Sequence, residues 1–76
     1  MKLISTLTNT SSKVINSSVI SENCSLGQAI IMIESWCYDN DANYPSTTDI
    51  WKNNGKIQIT VKTRDHKYIN IFDITD

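Results

Sequence analysis

At 76 residues the chain has room for one small domain, in which about 60% of the surface of the unfolded chain becomes buried. Ser, Thr and Asn supply 25 residues and Ile alone supplies 12, a polar but β-branched composition that builds a sheet and excludes a disordered chain. A net charge of −1 excludes a protein driven onto nucleic acid by bulk charge, and two cysteines with one histidine exclude a structural zinc site within one chain.

Residues 2–8 and 13–20 read as a leading hairpin around Asn9-Thr10-Ser11-Ser12, a cluster of turn formers. Its register is weakly specified, because Val14 and Ile20 fall on one face of the second strand and Ile15 and Val19 on the other. Residues 25–40 carry the strongest pattern in the chain. Leu26, Ala29, Ile30, Ile33, Trp36 and Cys37 recur at helical spacing, with Ser25 and Gln28 placed as a capping box at the start. Ile31 and Tyr38, seven residues apart, form a second apolar line on this helix, outside the core stripe.

Residues 41–55 form a long irregular segment. Pro45 stops the helix, and the residues after it allow two readings: a short turn capped by Ser46 and Asp49 and running through Trp51, or an extra strand over residues 49–53 leading into an Asn54-Gly55 hairpin turn. The short turn is preferred. Residues 56–63 alternate cleanly, with Ile57, Ile59 and Val61 on one face, and residues 68–74 return after a turn at 64–67. Pairing Thr63 with Tyr68 sets Ile59 opposite Phe72 and Ile57 opposite Ile74, and it sends Ile69 and Ile71 out of the back of the sheet. The expected fold is therefore α+β, a four-stranded antiparallel sheet in β-β-α-β-β order with the helix on one face and Leu3, Leu7 and part of the second strand completing the core.

The candidate chemistry is sparse. Cys37 and His66 are the one nucleophile and imidazole pair, but Cys37 lies on the buried stripe and His66 in a distant turn, so cysteine catalysis is rejected. Cys24 lies just before the helix and Cys37 near its end, which holds them about 18 Å apart, beyond reach of a disulfide. Neither a cofactor nor a metal is expected, and the chain does not read as an enzyme. No apolar run reaches the length of a signal peptide or a membrane span, so a cytoplasmic protein with no membrane partner is expected.

Charge is segregated along the chain. Glu34, Asp39, Asp41 and Asp49 occur with no base among them, interleaved with Tyr38, Tyr44 and Trp51. Aromatic anchors ringed by polar groups are what protein-binding surfaces use, so these seven residues are the candidate partner-binding set, with Trp51 alternatively closing the core. The C-terminal hairpin is basic, and Lys56, Lys62, Arg64 and Lys67 form the alternative, a nucleic-acid-binding set. Ile69 and Ile71 offer a surface for a homodimer.

In size, composition and element order the chain resembles the small one-domain inhibitors of phages and mobile elements, anti-CRISPR proteins among them. That resemblance implies a stoichiometric, non-catalytic inhibitor that binds a host defence protein or complex through loops and acidic side chains. It carries no residue motif. A toxin-neutralising immunity protein or antitoxin would use the same acidic and aromatic surface.

Overall fold

The computed structural model describes residues Met1–Asp76. Five strands and one helix run in the order β1 (Lys2–Asn9), β2 (Ile15–Ser21), α1 (Leu26–Asp39), β3 (Ile50–Asn53), β4 (Lys56–Lys62) and β5 (Tyr68–Thr75), with a 3-10 turn at Thr47–Asp49 before β3. All strands pair antiparallel, in the spatial order β2-β1-β5-β4-β3. The α+β class is as expected; the sheet has one strand more than expected.

The additional strand arises because the short turn stops at Asp49 and does not run on through Trp51 as preferred; residues 50–53 form the strand of the alternative reading, ahead of the Asn54-Gly55 turn. Asp49 accepts hydrogen bonds from the Ser46 amide and hydroxyl, each at 2.9 Å, which cap the start of the 3-10 turn. The chain then extends, and Asn54 (φ 49°) and Gly55 (φ 78°) turn it back with the two positive φ angles that a tight hairpin requires. Ile50 thereby comes opposite Ile59, and Trp51 opposite Gln58.

The C-terminal hairpin has the register its apolar pattern demands: Ile57 pairs Ile74 and Ile59 pairs Phe72. The Thr63 amide donates to the Tyr68 carbonyl at 3.1 Å and closes the turn. Helix α1 begins with the capping box, Gln28 N–H to Ser25 Oγ at 3.1 Å and Ser25 N–H to Gln28 Oε1 at 2.9 Å. Its buried residues Ala29, Ile33 and Cys37 meet Leu3, Ile59, Val61, Phe72 and Ile74, and Trp36 sits edge-on to Phe72 with ring centroids 5.8 Å apart. Burial of each large aliphatic side chain in this layer is worth roughly 1.5–3 kcal/mol.

Strand β2 contributes little to that core. Its residues are exposed apart from the half-buried Ser21, and a bulge leaves Ile20 without a partner between the Leu3–Ser21 and Ile4–Val19 pairs. The expectation that Leu7 and part of the second strand complete the core is therefore corrected: the core under α1 is built from β1, β4 and β5 without Leu7, and of β2 only Ser21, beside Gln28 and Ile31, is half-buried. The sheet is covered on one face. On the other, cross-strand pairing lines up Trp51, Gln58, Asp73, Ile4 and Val19 in one row and Thr60, Ile71, Thr6 and Ser17 in the next.

Candidate functional site

Three of the seven acidic and aromatic candidates share one surface. Because Ala29, Ile33 and Cys37 point into the sheet, helical spacing puts Ile31, Glu34 and Tyr38 in a line on the outer side of α1, with Asp39 beside Tyr38. Tyr38 is 82% exposed and Ile31 64%. Glu34, Tyr38 and Asp39 make no salt bridge and no side-chain hydrogen bond. Two carboxylates and a phenol are thus presented to solvent from a rigid helix, with no structural task of their own.

The other four candidates are placed differently. Asp41, just past the helix end with φ 50°, pairs with the Arg64 guanidinium, whose Nε also donates to Asn43 Oδ1 at 2.9 Å. The Arg64 amide donates to the Asp41 carbonyl at 3.0 Å, and Ala42 bridges to Thr63. Members of the two rival sets, one acid and one base, therefore fasten the segment after the helix to the C-terminal hairpin. Asp49 is occupied in capping the 3-10 turn, and those Ser46 hydrogen bonds hold its carboxyl below the usual carboxylate range. Tyr44 is exposed beside Asp49 and Lys62, along a hollow of about 160 Å³. Trp51 does not close the core. It is 51% exposed and lies on the bare side of the sheet, so the sheet separates it from Tyr38.

The basic set is likewise dispersed. Lys56 lies 3.4 Å from Asp73, which also accepts from Gln58 Nε2 at 3.0 Å. Arg64 is held by Asp41 and Asn43, which leaves Lys62 and Lys67 as the two cations of that set free of a carboxylate.

Burial pushes the Cys37 thiol up, aided by the nearby Glu34 carboxylate, so at neutral pH it is a protonated core side chain. Cys24 is buried too, and both thiols are free. Three or more His, Cys, Asp or Glu side chains nowhere gather as a metal site would require. No helix is long and apolar enough to cross a membrane. Comparison with protein-family models, with curated proteins and with solved structures finds no match to this chain.

Proposed function

We propose that this protein is a non-catalytic binding protein that engages a partner protein through the outer side of α1. Tyr38 supplies the aromatic anchor, Ile31 extends the apolar contact, and Glu34 and Asp39 select a partner with a basic surface. The observation that carries this reading is the exposure of Tyr38: a large aromatic left in water on a rigid helix, one turn from one free carboxylate and adjacent to another. In the form suggested by the chain's resemblance to mobile-element inhibitors, the partner is a host defence complex of the CRISPR type, blocked stoichiometrically. Dispersal of the basic set, with Arg64 and Lys56 engaged by carboxylates, weighs against a nucleic-acid-binding module.

The test is a pull-down with the tagged protein from a bacterial lysate containing expressed CRISPR effector complexes, with nuclease treatment and a salt series. One protein or complex retained after nuclease and at high salt, and lost with Tyr38→Ala or Glu34→Lys, is the expected result. Retention that ignores both substitutions would overturn the assignment to α1. Recovery of nucleic acid that leaves as salt rises would move the function to the basic hairpin, because counterion release makes phosphate binding steeply salt-dependent.

A further inference from the structure

The two edges of the sheet differ. Strand β3 closes one edge with four residues, including Lys52, and a tight turn, which are common protections against pairing with another chain. The β2 edge has seven residues, INSSVIS, without a charge or a proline. The direction of its backbone groups is set by the turn before it. Asn9 N–H donates to Val14 C=O at 2.9 Å, while Thr10 N–H donates away from β2, to Lys67 C=O at 2.9 Å. In an antiparallel ladder these directions alternate, so Asn16 and Ser18 bond to β1, whereas the N–H and C=O groups of Ile15, Ser17 and Val19 point outward from the sheet. The side chains of the same three residues lie on the bare face, opposite Thr8, Thr6 and Ile4. Ile15 is 62% exposed and Val19 45%.

We propose that the β2 edge pairs with the β2 edge of a second copy of this chain, antiparallel about a two-fold axis at Ser17, to give a dimer with one continuous ten-stranded sheet. A two-fold axis normal to the sheet keeps each face on its own side, so directly opposed residues must come from the same face. Placing Ser17 against Ser17 satisfies that rule and sets Ile15 of each copy opposite Val19 of the other. All three outward-facing residues then fall in hydrogen-bonded pairs, giving roughly six new backbone hydrogen bonds. Shifting the axis to Ser18 opposes Ile15 to Ser21 and Val19 to Ser17, and the apolar match is lost. Charge favours the same arrangement. Lys13 precedes β2 and makes no salt bridge; Glu22 comes after it and has one loose partner, Lys2 at 3.9 Å. Antiparallel pairing brings the Lys13 end of each strand beside the Glu22 end of the other, whereas parallel pairing would put like charges together.

The contact is isologous and consumes both open edges, so association stops at two copies, with a short, Lys-bearing β3 at either end. This assigns self-association to the β2 edge rather than to Ile69 and Ile71, and it does not depend on the proposed role of α1.

Amide hydrogen exchange, read by NMR beside sedimentation equilibrium from micromolar to millimolar concentration, tests the pairing. The amides of Asn16 and Ser18 are bonded to β1 in monomer and dimer alike and serve as controls. A dimeric mass with Ile15, Ser17 and Val19 protected as well as those controls is the expected result. A monomeric mass across the range, or fast exchange at Ile15, Ser17 and Val19 in a dimer, would overturn it. Ser17→Pro removes one outward N–H and is expected to yield a monomer; Ser17→Lys keeps every backbone donor, sets two ammonium groups against each other on the axis, and is expected to do the same with the far-UV spectrum unchanged. Lys13→Glu should weaken the dimer, and Lys13→Glu with Glu22→Lys should restore it. A dimer that survives Ser17→Lys but is lost with Ile71→Lys would place the contact on the bare face and refute the proposal.

Discussion

Asn70 is fully buried between β1 and β4, with Ser5 Oγ donating to its Oδ1 at 2.7 Å and its Nδ2 without a partner. Ser5→Ala strips the remaining hydrogen bond from that amide and is expected to cost about 1–3 kcal/mol in chemical denaturation. Ser5→Ala combined with Asn70→Leu should cost less than the sum of the single changes, because an apolar pair leaves no buried polar atom unsatisfied. Asp65 offers a second test of the same kind. Thr63 Oγ1 donates to its carboxylate at 2.6 Å and the Lys67 amide at 2.9 Å, which together hold the Asp65 carboxyl below its ordinary value. A depressed folded-state pKa contributes stability that is present above the unfolded carboxylate value and is lost as pH falls through the folded one. Thr63→Val removes the larger cause, so the Asp65 titration followed by NMR should move up towards that of a free carboxylate, and the acid loss of stability should begin at higher pH.

Helix α1 offers a paired comparison across its two sides. Ile33→Ala empties a buried position and is expected to cost about 2–5 kcal/mol, whereas Ile31→Ala, on the outer line, should change stability by less than about 0.5 kcal/mol. Equal effects would mean that the buried side is misassigned. The glycines separate in the same manner. An added methyl at Gly27 meets nothing closer than Ser25 Oγ at 4.0 Å, so Gly27→Ala should stabilise by about 0.5 kcal/mol; Gly55, at φ 78°, should lose about 1 kcal/mol on the same change. The elements most legible in the sequence were those whose pattern is local: the stripe of α1 from Ala29 to Cys37, though Leu26 at its start is exposed, its capping box, and the alternation of β4 against β5, in which a one-residue slip would set Asp73 opposite Ile59. Strand β3 was harder to read because Ile50, Trp51, Lys52 and Asn53 do not alternate in polarity, although Asn54-Gly55 announces a turn. The exposure of β2 was not legible, since it depends on which strands α1 covers. Nor was the separation of the candidate site: that Asp41 pairs with Arg64, and that Trp51 and Tyr38 lie on opposite sides of the sheet, is decided by register between segments distant in the chain.

For the whole molecule the decisive pairing is β1 with β5, which joins the second residue to the seventy-fifth at the centre of the sheet. Contacts of such sequence separation place folding in the range of about milliseconds to seconds rather than microseconds. Removing Tyr68–Thr75 should abolish cooperative thermal unfolding altogether, because what remains is two hairpins and a helix with no strand to join them; a residual sigmoidal transition would show that one half folds alone. The same pairing has a consequence during synthesis. At roughly 5–20 residues per second, synthesis leaves the inner edge of β1 unpaired for several seconds before β5 is made, and that of β4 for about a second or less. Between the completion of β4 and the pairing of β5 the chain has four open edges in place of two, so chaperone engagement and the crowding of neighbouring polysomes bear on the yield of folded protein.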